Sequence, residues 1–258
     1  MTPTAEKAAE LRRLHDDPEL LVMVNVWDVI SARTLAELDG CRAIATASHS
    51  VAAAAGYPDG EHIPRDEMLE AARRIAAAVD LPVSADLEAG YGDAAETVRR
   101  AIGFGVVGAN IEDEMRPFDD AVAVVAAVTA AAEKEGVPFA LNARTDAFLR
   151  AGDRDPEEVL DEAIRRGRAF LDAGATCVFV PGRLNETTVG RLVDGIGQRK
   201  VSVIAVPGSP GLDALQRLGV ARVSLGPWSQ RIALTAWADA AAGILKGASL
   251  PEGVRAIG

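Results

Sequence analysis

Residues 82–112, PVSADLEAGYGDAAETVRRAIGFGVVGANIE, carry the pattern that decides the fold. Two short apolar runs, PVSAD (82–86) and VGANI (107–111), flank a segment in which Asp93 followed by Glu96 is typical of a helix start. Near-continuous apolar runs are typical of strands that are buried on both faces of a parallel sheet. This stretch therefore predicts a strand–helix–strand unit with parallel strands.

The same alternation recurs along the chain. Six further apolar runs are predicted to be strands: LVMVN (21–25), AIATA (43–47), FALNA (139–143), CVFV (177–180), SVIAV (202–206) and RVSL (222–225). Eight strands separated by helical segments favour a closed barrel over an open doubly wound sheet. The predicted fold is α/β, a (β/α)8 TIM-type barrel with a parallel eight-stranded core. Residues 1–258 are expected to form a single barrel domain with an N-terminal helix and a C-terminal helical extension.

The composition argues against several classes of partner. Lys and Arg total 27 against 38 Asp and Glu, a formal net charge of −11, and so acidic a surface repels phosphate backbones and anionic lipid. We therefore expect no nucleic-acid partner and no membrane partner. The polar N-terminus lacks the apolar segment of a signal peptide, and two cysteines are too few for a disulfide framework. A cytoplasmic location is expected.

Carboxylates gather at one rim of the predicted barrel. Functional groups in such barrels follow the carboxyl ends of the strands. Asp86 and Glu88 follow the third predicted strand and Glu112 follows the fourth. Asp59 lies in the loop after the second. Like charges this close raise one another's pKa values unless a cation neutralises them, and oxygen ligands without a histidine or cysteine cluster suit Mg²⁺ (or Mn²⁺) rather than zinc.

A carboxylate beside a helix can instead serve as a helix N-cap, stabilised by the helix dipole. That interpretation suits Asp93 and Asp155, which precede helical segments. Asp86 differs from them, because it ends an apolar strand and is followed by glycines that leave the backbone open to a ligand. We therefore favour a ligand-binding role for Asp86.

Arg144 ends another apolar strand, opposite the carboxylates. An arginine there can bind a substrate carboxylate through two parallel N–H···O bonds. The alternative is a structural ion pair with Asp146, Asp113 or Glu112. No lysine of the chain follows a predicted strand, which excludes Schiff-base chemistry at this rim.

Four motifs carry a family resemblance: GYPDG (56–60), SADLEAGYGD (84–93), NIED (110–113) and NARTDAF (142–148). In this order and spacing they resemble the isocitrate lyase/phosphoenolpyruvate mutase (phosphonomutase) superfamily. The similarity runs through the barrel from Asn25 to the last predicted strand. The resemblance implies an α/β barrel and a small 2-oxo acid substrate, or a 2-hydroxy acid that yields one, with many reactions passing through an enolate held on Mg²⁺.

The resemblance also assigns the metal site. It implies that Asp86 binds Mg²⁺ directly. The other acidic positions, Asp59, Glu88 and Glu112, are implied to act largely through metal-bound water. All four are therefore candidate metal ligands.

The resemblance assigns substrate contacts as well. It implies that Arg144 binds the substrate carboxylate, together with backbone amides around Ala47, Ser48 and His49. The side chain of His49 is either a general acid/base near the substrate or a bystander whose amide alone is used. Trp27 is a candidate substrate contact, although packing as a lid over the barrel mouth suits it better.

The chain departs from the family in the loop after the fourth strand. The lyases carry a K-K-C-G-H pattern there, whose cysteine is the catalytic acid/base. Residues 112–118 here read EDEMRPF, without cysteine or histidine. The mutases and phosphonopyruvate hydrolases carry lysine and asparagine in this loop, whereas this chain has Glu114 at the lysine position and no asparagine. Both well-known activities are therefore in doubt.

The resulting hypothesis is a Mg²⁺-dependent enzyme that cleaves a C–C bond in a small 2-oxo acid through a metal-bound enolate, with decarboxylation or retro-aldol cleavage of an oxaloacetate-like substrate as the leading reaction. One alternative is phosphonomutase-like P–C chemistry. Another is a barrel that binds metal and metabolite without turnover. The candidate catalytic residues are Arg144, Asp59, Glu112 and His49. The candidate substrate contacts are Trp27, Ala47, Ser48, His49, Asp86 and Arg144.

The segment after the last strand predicts assembly. From Ile232 to Leu245 apolar residues occupy more than one helical face, and one barrel surface cannot cover such a helix. The resemblance points the same way, because family members often exchange or pack their last helices between subunits. We expect a homodimer or homotetramer.

Overall fold

A computed structural model describes residues 2–255, in which short parallel strands form one sheet. The strands are β1 (Leu21–Met23), β2 (Asn25–Val26), β3 (Ile44–Thr46), β4 (Val83–Asp86), β5 (Gly108–Glu112), β6 (Ala140–Arg144), β7 (Cys177–Val180), β8 (Val201–Ile204) and β9 (Arg222–Ser224). The helices are α1 (Pro3–Asp16), α2 (Val29–Ala36), α3 (Ser48–Ala54), α4 (Arg65–Ala78), α5 (Ala94–Gly103), α6 (Phe118–Lys134), α7 (Pro156–Asp172), α8 (Glu186–Ile196), α9 (Leu212–Leu218) and α10 (Trp228–Leu245). All eight predicted strands are found, with ends that shift by one or two residues.

The first predicted strand is divided, and this division closes the barrel. The run 21–25 breaks at Val24 into β1, which pairs with β9, and β2, which pairs with β3. The sheet order β1-β9-β8-β7-β6-β5-β4-β3-β2 therefore begins and ends on the two halves of one strand. Closing a barrel requires staggered strands, and the break lets one segment serve two neighbours. The predicted (β/α)8 barrel is confirmed.

Helix α1 closes the amino-terminal end of the barrel. Leu11 is fully buried and lies against Gly108 at the start of β5. A Cβ at Gly108 would lie 2.8 Å from Leu11 Cδ2 and 2.8 Å from the Ala140 carbonyl oxygen, so only glycine fits between them. The open end is therefore the one at which the strands terminate.

Local capping follows the sequence. The Asp28 carboxylate accepts from Ser31 N at 2.7 Å and caps α2. Asp93 and Asp155 cap α5 and α7 in the same way. The N-cap interpretation of Asp93 and Asp155 is confirmed. Asp86 differs from them because it ends a strand and precedes no helix, although its carboxylate accepts from the first amide of α3.

The last helix, α10, lies largely outside the packed core. Only its first turns are tied to the barrel, where Gln230 Nε2 donates to the Ser50 carbonyl at 3.1 Å. Trp237 is 69% exposed and Leu245 is 88% exposed, so the apolar surface predicted from the sequence is uncovered in one copy of the chain. Within residues 2–255, no helix combines the length and apolar composition needed to cross a bilayer.

Candidate active site

Asp86 ends β4 at the open rim, with its carboxylate held by donors from α3 and β5. Oδ2 accepts from Ser48 N at 3.1 Å and from Ser48 Oγ at 2.9 Å. Oδ1 accepts from Asn110 Nδ2 at 3.4 Å. The Asp86 amide itself donates to Thr46 Oγ1 at 2.9 Å. These contacts orient the carboxylate without supplying a positive charge.

Glu88 lies in the glycine-rich turn after β4 and is 4% exposed. Its backbone takes a left-handed conformation (φ 52°), which costs a non-glycine residue energy. The carboxylate accepts from the Glu61 amide and, at 3.3 Å, from the Tyr91 hydroxyl. Burial, with repulsion from Asp86 and Asp59, raises the pKa of Glu88 to about 7.

Arg144 lies at the end of β6 between two carboxylates. Nη1 is 2.5 Å from Glu112 Oε2, and Nε donates to Asp146 Oδ1 at 2.7 Å. Both alternatives for Arg144 thus remain in view, because the guanidinium pairs with protein carboxylates and is still 18% exposed at the rim. Burial raises the pKa of Glu112 to about 8; Arg144 opposes that rise, whereas Asp146, Asp86 and Glu88 add to it.

The loop after β5 is tied to α7 by Arg166, which the sequence analysis did not single out, and by Asp113, which pairs with Arg166 rather than with Arg144. Asp113 accepts from Met115 N at 2.9 Å, from Asp146 N at 3.0 Å and from Arg166 Nη1 at 3.1 Å. Arg166 is 4% exposed and also donates to the Arg116 carbonyl at 3.0 Å. The available signal was an arginine at a core-facing position of an amphipathic helix.

The loops after β3 and β4 are fastened by a second missed pair, Glu61 and Tyr91. Glu61 donates its amide to Glu88, and its carboxylate accepts from Tyr91 N at 2.7 Å. Both residues have positive φ angles, 59° and 56°. No sequence periodicity marks such positions, because a loop hydrogen bond depends on where two loops meet.

The remaining predicted residues lie around this group. His49 Nδ1 is 3.4 Å from Asp59 Oδ2, and both side chains are about half exposed. Ala47 precedes α3 and contributes no side-chain cap. The Ser48 amide, expected to face substrate, here donates to Asp86. Trp27 lines a separate cavity of about 700 Å³ bounded by α2, α3 and α4. None of Asp59, Asp86, Glu88 and Glu112 lines this cavity.

The electrostatics of the rim are unbalanced. Asp86, Glu88 and Glu112 repel one another strongly enough to affect the pKa values of both glutamates. Within residues 2–255, no three histidine, cysteine or carboxylate side chains converge into a ready-made metal cluster. The donors are oxygens throughout, which fits a hard divalent cation that takes one carboxylate and water rather than a closed protein cage.

Fold and site together define a (β/α)8 barrel with a carboxylate-rich rim that includes Arg144. The phosphoenolpyruvate phosphomutase family model matches residues 11–245. The chain therefore belongs to the isocitrate lyase/phosphoenolpyruvate mutase superfamily, as the four motifs predicted.

Relatives within this superfamily differ in activity. An uncharacterized protein of Mycobacterium tuberculosis H37Rv is 33% identical over 243 residues, covering 93% of this chain and 91% of that one. Oxaloacetate decarboxylase of Ectopseudomonas mendocina is 32% identical over 200 residues, covering 75% of this chain and 68% of that one. A crystal structure from Burkholderia cenocepacia J2315, provisionally named a phosphonomutase, is 40% identical with a TM-score of 0.85, covering 95% of this chain and 100% of that one.

Proposed function

We propose that this protein is a divalent-metal-dependent enzyme that cleaves a C–C bond in a small 2-oxo acid, with decarboxylation of an oxaloacetate-like substrate as the leading reaction. The observation that carries the proposal is the rim itself, where Glu112 pairs with Arg144 and the Asp86 and Glu88 carboxylates lie near enough to raise the pKa of Glu112. The E. mendocina relative is named for oxaloacetate decarboxylation, which supports this choice of substrate.

The charge pattern supports a bound Mg²⁺ (or Mn²⁺). Asp86 would hold the cation directly, and Asp59, Glu88 and Glu112 would support it indirectly. Burial raises the pKa values of Glu88 and Glu112 to about 7 and about 8, and repulsion from Asp86 adds to both rises. A bound cation would relieve that repulsion. When bound, the cation would stabilise negative charge that develops on the 2-oxo oxygen during bond cleavage.

Arg144 would bind and orient the substrate carboxylate. Its contacts with Glu112 and Asp146 use Nη1 and Nε, so Nη2 takes part in neither. The two carboxylates fix the guanidinium plane at the rim, which makes a flat, directional contact with a substrate carboxylate available. A lysine could supply the charge but not the geometry.

After the C–C bond breaks, the carbon left with negative charge must receive a proton. The candidate proton donors are Glu112 and His49. In the metal-free protein burial raises the pKa of Glu112 to about 8, so near neutral pH this side chain can hold a proton beside Arg144. His49 faces Asp59 at 3.4 Å, and the pair is open to solvent. We favour Glu112, because a buried acid with a pKa near the working pH is well suited to general acid catalysis.

A second candidate is phosphonomutase-like P–C chemistry. It is supported by the 40% identity to the B. cenocepacia structure that carries the phosphonomutase name. It is weakened by Glu114, which stands where the mutases have lysine in the loop after β5. The two candidates share the rim and differ in the group that leaves C3.

The test is turnover of oxaloacetate and phosphonopyruvate with Mg²⁺ or Mn²⁺. Pyruvate release is measured for oxaloacetate, and formation of phosphoenolpyruvate or pyruvate for phosphonopyruvate, each after subtraction of metal-only rates. We expect oxaloacetate turnover at ordinary enzyme rates, ~1–10³ s⁻¹, and its loss in Arg144→Lys. Arg150→Lys, at a half-exposed arginine of the same loop, is the matched control. Turnover of phosphonopyruvate alone would favour the second candidate, and no turnover of either would leave a metabolite-binding barrel.

A further inference from the structure

Arg222 occupies an unusual place inside the barrel. It belongs to β9, is 1% exposed, and reaches across the interior to β4, where Nη1 donates to Ser84 Oγ at 3.3 Å. Its Nε has no hydrogen-bond partner. Interiors of such barrels are usually filled by branched apolar side chains. A charged guanidinium at the axis is therefore a departure that packing alone does not explain.

The surroundings of Arg222 supply no neutralising charge. Within residues 2–255, its side-chain hydrogen bond goes to the Ser84 hydroxyl and not to a carboxylate. Burial, followed by the charge of Arg222, lowers the pKa of His15 to about 3, so that imidazole is neutral. Burial raises the pKa of the Cys177 thiol to about 12, so it is neutral too. The pKa of Arg222 itself falls to about 10, and the guanidinium is charged at neutral pH.

The anion that Arg222 faces along the barrel axis is Asp86. Ser84, its hydrogen-bond partner, precedes Asp86 by two residues on β4, so the two side chains share the inner face of the barrel. Two residues of strand span about 7 Å. The guanidinium therefore lies roughly one layer of side chains below the rim.

A chain of polar side chains leads from Asp86 into the interior of the barrel. Asn110 Nδ2 donates to Asp86 Oδ1 at 3.4 Å, and Asn142 Nδ2 donates to Asn110 Oδ1 at 2.8 Å. Asn142 Nδ2 also donates to Ser202 Oγ at 3.4 Å, and Ser202 is in register with Arg222 on the neighbouring strand. A hydrogen-bonded chain thus runs from Asp86 at the rim to Ser202, the strand neighbour of Arg222.

We propose that Arg222 is the buried counter-charge of the rim, a positioning residue that opposes binding of a lone divalent cation and favours binding of an anionic substrate once the cation is present. The inference rests on the proposed function. Without Arg222 the rim would attract the cation more strongly, but the loaded site would hold a dianion less well. Arg222 and the rim ligands are about 7–10 Å apart. At that distance and an intermediate dielectric, one unit charge changes the affinity for the cation or for the dianion by roughly tenfold.

Two calorimetric titrations test this: Mg²⁺ into metal-free protein, and oxalate into protein saturated with Mg²⁺. Arg222→Met, of similar length but neutral, should bind Mg²⁺ about tenfold more tightly and oxalate about tenfold more weakly. Arg222→Lys should keep both affinities near those of the wild type. Arg191→Met, which removes the same charge from an exposed salt bridge, should change neither.

The opposite signs separate this role from a structural one, because a distorted barrel would weaken both ligands together. Should Arg222→Met fail to fold, Arg222→Gln supplies a shorter, neutral and polar side chain, and the same opposite shifts are required of it. Unchanged affinities, or parallel losses, in a folded neutral variant would overturn the proposal while the function stands. A wild type that binds neither Mg²⁺ nor oxalate would overturn the proposed function, and this inference with it.

Discussion

At the scale of single residues, two glutamates are held in surroundings that disfavour their charge. Glu88 and Glu112 have pKa values of about 7 and about 8 in the folded protein, against an ordinary 4.5. The folded state therefore binds more protons than the unfolded chain between pH 4.5 and 8. Stability falls as the pH rises through this window and reaches its lowest level above the folded pKa values.

Metal-free protein should accordingly unfold more easily at pH 9 than at pH 5 in urea titrations. Glu112→Gln mimics the protonated side chain, so we expect it to be about 1–3 kcal/mol more stable than the wild type at pH 9 and equal to it near pH 4. Glu158→Gln, at an exposed glutamate of α7, should show no such difference. A Glu112→Gln protein less stable than the wild type at pH 9 would show that the ionised carboxylate stabilises the fold.

The residues of the rim could be predicted unequally from the sequence. Asp86 and Arg144 stood out because each ends an apolar strand, and parallel strands bring their ends to one rim. Glu61 and Tyr91 could not be found in this way, because their contact forms only where the loops after β3 and β4 come together in the fold. The sequence places Arg222 in a strand, but it does not show that the side chain of Arg222 lies inside the barrel.

At the scale of elements, the loop after β5 is the part that departs most from the lyases. Its five residues between Glu112 and Phe118 are fastened by Asp113 to Arg166 on α7. Glu114 and Met115 take positive φ angles of 49° and 56°. A loop so short and so constrained offers no cysteine to deliver a proton.

Cleavage of isocitrate and 2-methylisocitrate should therefore be absent. Proton delivery to the departing carbanion by a positioned acid typically contributes ~10²–10⁴-fold in rate. Glyoxylate release from isocitrate and pyruvate release from 2-methylisocitrate measure this directly, with oxaloacetate turnover as the control for active protein. Release at ~1–10³ s⁻¹ would mean that another group supplies the proton.

At the scale of the whole molecule, the barrel was predictable because eight apolar runs at regular spacing allow few other topologies. The division of the first strand into β1 and β2 was not predictable, because barrel closure depends on the stagger between neighbouring strands rather than on amino-acid composition. A single chain also leaves the apolar residues of α10 exposed to solvent. Its exposed apolar residues have a counterpart in the cavity of about 700 Å³ beside Trp27, which is lined by Ile30, Val51, Ala54, Ala55 and Ile63.

We predict a homodimer or homotetramer in which α10 of one copy packs on apolar surface of another. Light scattering at micromolar concentration should give a multiple of the chain mass. Trp237→Glu should shift the distribution toward monomer, because it places a charge in the buried contact. Thr187→Glu, on exposed α8, should leave it unchanged. A wild type that is strictly monomeric would reject the prediction.

The central claim is that Asp86 and Arg144 form one site for a divalent cation and a small dianion. Calorimetric titration of oxalate, which resembles the enolate of pyruvate in shape and charge, tests it without knowledge of the substrate. Oxalate should bind only with Mg²⁺ present, and Mg²⁺ should bind more tightly with oxalate, because linked equilibria are reciprocal. Asp86→Ala should abolish both, Arg144→Lys should weaken oxalate, and Arg144→Ala should cost on the order of 2–5 kcal/mol. Oxalate binding that survives both metal removal and Arg144→Ala would contradict the account.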